Sequence, residues 1–182
     1  MPAKIPEPWL GFLKDVDRAL SQPAEVHCLG AFVLAVLWGL PRQTGDVDFI
    51  EVVPPEAGGE LLRIAGMDSE LARTYKVHFH RASVAEYPEG YTSRLVDMTP
   101  RGHVRLRLLG MEVHDLVLAK LGRNSSRDRA DVEFLVREGV IDKQVLKERF
   151  ESELRPYVLN EVRHNDALRL WMDTLFDAGR SV

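Results

Sequence analysis

An acidic β-segment is the part of the sequence best suited to chemistry. Residues 46–53 read DVDFIEVV, in which acids alternate with apolar residues. Side chains two residues apart in a strand share a face, so Asp46 and Asp48 are predicted to project together, with Cα atoms about 7 Å apart. Two such carboxylates repel each other, and a divalent cation between them removes that cost. Their hard oxygen atoms favour Mg²⁺, which commonly also binds substrate phosphates; the alternative is a solvated strand edge with two ordinary aspartates.

The residues that precede this strand suit a phosphate. Gly30 is predicted to end a strand and open a helix, where the backbone can approach a ligand and the helix N-terminus offers N–H groups. Arg42 and Thr44 lie in the loop that leads to the acidic strand, where they can contact phosphate or cap the turn. Taken alone, Gly30 is equally a tight turn and Arg42 a surface charge, so both interpretations stay open.

The elements around these residues predict an α+β protein, with a mixed sheet flanked by helices and a C-terminal helical lobe. We place a core over residues 1–110 and the helical lobe, packed on that core, over 111–182. Apolar spacing and Gly or Pro breaks predict helices over 9–20, 31–40, 56–65, 69–75, 113–121, 128–138, 142–153 and 164–176. The predicted strands cover 26–29, 46–53, 76–80, 94–98 and 104–109.

The composition is that of an ordinary globular protein. The chain has 182 residues, of which 45% are hydrophobic and 29% charged, and its net charge of -4 gives no reason to expect tight non-specific binding to nucleic acid. The single cysteine, Cys28, cannot form an internal disulfide, which fits a reducing compartment. No apolar run is long enough to span a bilayer, and the N-terminus lacks a signal-peptide centre. We therefore predict a cytoplasmic protein without membrane contact.

Together these motifs resemble the nucleotidyltransferase fold. The segment LGA at 29–31, followed by GLPRQTGDVDF at 39–49, is similar to the first motif of that fold. It is most similar to the AbiEii-type branch, which includes toxins of toxin–antitoxin systems. The resemblance assigns nucleotide binding to Gly30, Ala31, Arg42 and Thr44, and Mg²⁺ binding and catalysis to Asp46 and Asp48.

A second block supports the resemblance. The segment VHDLVLAKL at 113–121, followed by RDRADV at 127–132, resembles the later lysine motif of the family and the start of its next helix. By this resemblance Lys120 contacts phosphate, Asp131 helps to set the site, and Arg127 assists in nucleotide binding. Without the resemblance, Lys120 is equally an outward-facing lysine on a helix.

Two departures from the family pattern bear on activity. Ala31 stands where the family usually has a second glycine or a serine, so a hydroxyl contact to phosphate is missing. Active members carry a third catalytic carboxylate on a neighbouring strand, and Asp97 is the best-placed candidate in this sequence. Without a third acid, activation of the attacking hydroxyl loses its expected base. Glu51 is predicted to lie off the face of Asp46 and Asp48, which Ile50 would continue inward.

We therefore predict a metal-dependent nucleotidyltransferase that moves a nucleoside monophosphate from an NTP to a hydroxyl on RNA, protein or a small molecule. The resemblance adds a toxin role, with an antitoxin as partner. The alternative is a catalytically inactive relative that binds nucleotides or regulates a partner. Two weaker candidates are a zinc site at His78 and His80 and a basic strip for RNA at Arg101, Arg105 and Arg107. The alternatives are a polar strand face for the two histidines and a solvated face for the three arginines.

Overall fold

The computed structural model describes residues 5–176, which form two compact units. The first unit comprises residues 5–83 and 95–111, and the second unit comprises residues 84–94 and 112–176. The sequence analysis divided the chain at residue 110 and assigned 84–94 to the core, whereas this segment belongs to the second unit.

A five-stranded mixed sheet forms the centre of the first unit. Its strands are β1 (Ala24–Cys28), β2 (Asp46–Val53), β3 (His78–Arg81), β4 (Val96–Asp97) and β5 (Leu106–Gly110). Their order in the sheet is β3-β2-β1-β5-β4. β1 pairs with β2 antiparallel and with β5 parallel, β2 pairs with β3 parallel, and β4 pairs with β5 antiparallel. The structure thus confirms the predicted α+β fold with a mixed sheet and flanking helices.

The helices of the first unit pack on one face of this sheet. They are α1 (Trp9–Ala19), α2 (Gly30–Trp38), α3 (Ala57–Ala65) and α4 (Glu70–Tyr75). The ring of Phe12 in α1 lies 5.7 Å from that of Phe79 in β3. Gly110 in β5 approaches Val33 in α2 so closely that an added Cβ would lie 2.9 Å from its side chain. The opposite face, called the polar face below, carries mostly polar side chains of the strands, with Leu109 as a buried apolar exception.

A bulge in β2 decides which of its residues reach that polar face. His27 pairs with Glu51, but the next residue of β1, Cys28, pairs with Phe49, so Ile50 is an extra residue. The extra residue shifts the alternation of β2 by one position. Val47, Phe49 and Val52 are consequently buried, whereas Glu51 is exposed. The prediction that Glu51 lies off the face of the two aspartates was wrong, because regular alternation does not hold across the bulge.

A buried carboxylate ties α1 to the start of β5. One oxygen of Asp17 accepts hydrogen bonds from the backbone N–H groups of Val104, Arg105 and Leu106 at 2.7–3.0 Å. Burial alone would raise the pKa of Asp17, but these hydrogen bonds lower it below its ordinary value. The contact fixes the first helix against a central strand of the sheet.

The second unit is helical. Its α-helices are α5 (Val113–Leu118), α6 (Ser126–Arg137), α7 (Lys143–Arg149) and α8 (Glu161–Trp171), and π-helical turns over Phe150–Leu154 and Met172–Phe176 follow α7 and α8. A 3₁₀ segment covers Glu89–Arg94. Helix α6 begins two residues before the predicted start because Ser125 and Asp128 form a capping box. Within residues 5–176, no helix is long and apolar enough to cross a membrane.

A network of charges holds the second unit together. Asp115, which is fully buried, accepts hydrogen bonds from Arg94 at 2.8 and 3.1 Å and from Arg149 at 3.0 Å. Arg94 also bonds Glu153, and Arg149 also bonds Glu112. Two arginines and three carboxylates thus compensate one another where desolvation would otherwise make each charge costly.

Candidate active site

The two aspartates of β2 lie side by side on the polar face of the first unit. Asp46 begins the strand with 55% of its side chain exposed, and Asp48 follows with 30% exposed. Val47 between them is fully buried, so the pair stands at the rim of the core. The arrangement is the one predicted from the alternation of DVDF.

Gly30 is shaped by its contact with Asp48. Its φ of +80° lies in the left-handed region, and a Cβ at this position would lie 2.6 Å from Oδ2 of Asp48. The neighbouring Leu29 N–H donates to the Asp48 carbonyl at 3.0 Å, which joins the start of α2 to β2. Ala31, the next residue, is buried. The glycine is therefore required by the carboxylate that lies against it, whether or not a phosphate binds here.

Two histidines of β3 face the aspartate pair. The strand register places His78 opposite Asp46 and His80 opposite Asp48. Nδ1 of His80 lies 3.0 Å from Oδ1 of Asp48, within hydrogen-bonding distance. Nε2 of His78 lies 3.3 Å from Oδ1 of Asp46, but it makes no hydrogen bond within residues 5–176. The sequence analysis considered these histidines as zinc ligands or as a polar strand face and did not connect them with the aspartates.

Asp97 lies far along the sheet from this pair. It is on β4 at one edge, and both β5 and β1 separate β4 from β2. Asp97 accepts from the Thr99 N–H at 2.9 Å and contacts Arg107 at 3.4 Å. Burial alone would raise the pKa of Asp97, but these partners lower it below its ordinary value. The structure therefore does not bring Asp97 beside Asp46 and Asp48.

Glu51 belongs to a separate group on the polar face. On β1, Nε2 of His27 lies 3.1 Å from Glu25, and its Nδ1 lies 3.6 Å from Glu51. The bulge brings Glu51 onto the same face as Asp46 and Asp48, but its carboxylate lies beside His27. Nothing in the letters FIE reveals the bulge, so the sequence carried no signal for this placement.

The loop before β2 is ordered by its own contacts. The backbone N–H of Asp46 donates to Oγ1 of Thr44 at 3.2 Å. The indole N–H of Trp9 donates to the Thr44 carbonyl, also at 3.2 Å. Arg42 is half-buried in the same loop. Thr44 thus acts first as a cap for the start of the acidic strand, one of the two roles predicted for it.

In the second unit, Lys120 is an internal counter-ion. It is 5% exposed, and its Nζ donates to Asp131 at 2.8 Å and to Asp128 at 3.3 Å. Asp128 is fully buried and Asp131 is 2% exposed. Arg127 is exposed in the first turn of α6. The ammonium group predicted to bind phosphate is therefore engaged by two carboxylates of its own unit.

Further contacts keep Asp128 ionised. Burial alone would raise the pKa of Asp128, but hydrogen bonds from Arg123 and Ser125 and the charge of Lys120 hold it well below its ordinary value. Arg123 donates to both carboxylate oxygens, at 2.6 and 2.7 Å. In the structure, Asp128 caps α6 and compensates two cations, Lys120 and Arg123.

The donor set of Asp46 and Asp48 fits Mg²⁺. Both side chains offer carboxylate oxygens, and Mg²⁺ in proteins is often held by one or two carboxylates, with water and substrate phosphates as its other ligands. Within residues 5–176, no group of three or more His, Cys, Asp or Glu side chains is placed to hold a metal ion. The zinc site suggested by His78 and His80 therefore gains no third ligand from the described chain.

Comparison with known proteins identifies the family. No curated protein and no solved structure matches the chain significantly. A family model described as "nucleotidyltransferase of unknown function (DUF6036)" matches residues 20–175, which include the glycine turn, the aspartate strand and the lysine block. The match does not distinguish the AbiEii-type branch, so that part of the resemblance stays a prediction. The chain belongs to the DUF6036 family of nucleotidyltransferases.

Proposed function

We propose that the protein transfers a nucleoside monophosphate from an NTP to a hydroxyl group, with Asp46 and Asp48 as the metal-binding residues. The observation that carries the proposal is the contact between Gly30 and Asp48. A glycine in a left-handed turn makes room for one carboxylate of a same-face pair at the start of a nine-residue helix. Family membership supports the same reaction.

The residues of the chain would position the reactants. Asp46 and Asp48 would hold Mg²⁺, which supplies charge neutralisation of the triphosphate and orientation of its α-phosphorus. The N-terminus of α2, which begins at Gly30, would offer N–H groups to the phosphates. His80 would hold Oδ1 of Asp48, which leaves Oδ2 beside the glycine turn. The acceptor hydroxyl would lose its proton to solvent as its oxygen forms a bond to the α-phosphorus. The bond from that phosphorus to the bridging oxygen would break, and pyrophosphate would leave.

Calorimetric binding of the four NTPs, with and without Mg²⁺, tests the proposal. The double variant Asp46→Asn/Asp48→Asn preserves side-chain size and removes both charges. We expect it to abolish Mg²⁺-dependent binding, whereas the exposed control Asp166→Asn in the second unit should bind like the wild type. Equal heats for the wild type and the double variant would refute the site.

A second candidate function is nucleotide binding without turnover. It is favoured by the neighbouring strand β3, which offers histidines rather than an acid to Asp46 and Asp48. Incubation with α-labelled NTPs and cellular RNA or protein separates the two functions. Label on the acceptor that disappears in Asp48→Asn would support transfer, whereas Mg²⁺-dependent NTP binding without labelled product would support the binding protein.

The toxin role suggested by the sequence remains part of the proposal. Induced expression should then arrest growth in the wild type and not in Asp46→Asn/Asp48→Asn. Equal growth with both would count against a toxin without bearing on NTP binding.

A further inference from the structure

A cleft of about 520 Å³ opens in the first unit at the start of the aspartate strand. Four segments line it: the stretch before α1, the end of α2, the loop over 41–45, and the end of α4. The lining residues used below are Glu7, Trp9, Arg42, Gln43, Tyr75 and Lys76. The cleft is distinct from the aspartate pair, but its loop runs directly into Asp46.

The apolar wall of the cleft is held in place. The ring of Trp9 packs edge-on against Phe32 at 5.3 Å, and its N–H is bonded to the Thr44 carbonyl. The hydroxyl of Tyr75 donates to Asp15 at 2.5 Å, which fixes the tyrosine ring. These contacts orient two aromatic side chains before any ligand binds, so little entropy would be lost on binding.

The polar wall of the cleft carries two cations. Lys76 is exposed, and its backbone adopts a left-handed φ of 57° after α4. It lies against the loop, since a Cβ on Gly45 would be 2.8 Å from the Lys76 carbonyl. Arg42 contributes a second positive charge, and Glu7 a single negative one. The charged side chains of the cleft therefore sum to one positive charge.

We propose that this cleft binds a nucleotide unit, meaning a base together with its phosphate. Aromatic and apolar walls suit a base, Gln43 offers donors and an acceptor to its edge, and the cations suit the phosphate. A volume of about 520 Å³ lies within the usual range of small-molecule sites. The proposal rests on the proposed function, since the unit would belong either to the donor NTP or to a nucleotide-bearing acceptor.

Binding of nucleoside monophosphates in EDTA tests the cleft apart from the metal site. Lys76→Asn removes the charge while asparagine tolerates the left-handed backbone, and Gln43→Trp places a large ring in the cleft. We expect each variant to weaken monophosphate binding about tenfold or more. Lys76→Asn removes a charge-assisted contact, and Gln43→Trp fills the space that the ligand would occupy. The control Lys147→Asn, at an exposed lysine of the second unit, should bind like the wild type. Unchanged affinity in Gln43→Trp, with its melting temperature preserved, would overturn the proposal.

A second arm distinguishes the two sources of the nucleotide unit. If Lys76→Asn also weakens Mg²⁺-dependent NTP binding, the cleft holds the base of the donor. If that binding is unchanged while monophosphate binding is lost, the cleft holds the acceptor. Failure of the proposed function would appear separately, as Mg²⁺-dependent NTP binding that survives in the aspartate double variant.

Discussion

Replacement of Lys120 by methionine tests whether this lysine is a structural counter-ion. Methionine keeps most of the side-chain volume and removes the charge, which leaves Asp131 without its 2.8 Å partner and Asp128 without one of its cations. Breaking a buried ion pair on one side typically costs about 3–5 kcal/mol, because the remaining charge is desolvated and uncompensated. For a chain of this size that cost corresponds to a melting temperature lower by about 6–20 °C.

The matched control uses the same carboxylate. Arg123 also bonds Asp128, but 71% of its side chain is exposed. Because solvent screens its charge, Arg123→Met should cost less stability than Lys120→Met. Thermal melting followed by circular dichroism measures both variants, and NTP binding is measured below their melting temperatures. A Lys120→Met protein that melts like the wild type but no longer binds NTP would refute the counter-ion role and support the phosphate contact implied by the family resemblance.

Four further predictions follow from the site and from the charge network. Gly30→Ala should lose about 1–2 kcal/mol of stability, because alanine is strained in the left-handed backbone, and thermal melting measures this loss. The same variant should weaken Mg²⁺-dependent NTP binding, measured by calorimetry. Wild-type stability together with wild-type binding would contradict the contact with Asp48. His80→Ala should weaken Mn²⁺ binding to the aspartates about tenfold, as measured by paramagnetic resonance titrations. His80→Gln keeps an N–H donor and should recover the binding. Equal loss in both variants would argue that His80 does not orient Asp48 by a hydrogen bond. Asp97→Asn should leave Mg²⁺-dependent NTP binding unchanged. Loss of that binding in the variant would show that Asp97 belongs to the site after all. Burial alone would raise the pKa of Glu112, but hydrogen bonds from His114 and Arg149 lower it from 4.5 to about 2. The contribution of Glu112 to the free energy of unfolding is therefore present above pH 4.5 and is lost as the pH falls towards 2. Glu112→Gln should flatten that part of the curve of unfolding free energy against pH.

The acidic strand was predictable because its signal is local. The bounds of β2 agree with the prediction over 46–53, and the buried residues of α1 follow the helical spacing seen in the sequence. The pairing of Asp46 with Asp48 also follows from local alternation. The turn at Gly30 was predicted for the same reason, since a glycine between a strand and a helix is a short-range feature.

The partners of these residues were not predictable, because they depend on strand order and register. Asp97 is close to the lysine block in sequence but belongs to an edge strand separated from β2 by two others. The segment HFH gives no indication that it pairs in parallel with DVD, which is what places His80 against Asp48. Similarly, the sequence left open whether Lys120 faces outward, and only the fold shows the two carboxylates beside its ammonium group.

The bulge in β2 allows the length of this strand to vary without a change in the face it presents. If Ile50 were absent, DVDFEVV would alternate regularly, and Asp46, Asp48 and Glu51 would still point to the same side. With Ile50 present, the bulge absorbs the added residue locally. In a sequence alignment of relatives, a protein with a one-residue gap at this position would therefore still present its aspartate pair on the polar face. Such a gap does not indicate that the pair is buried.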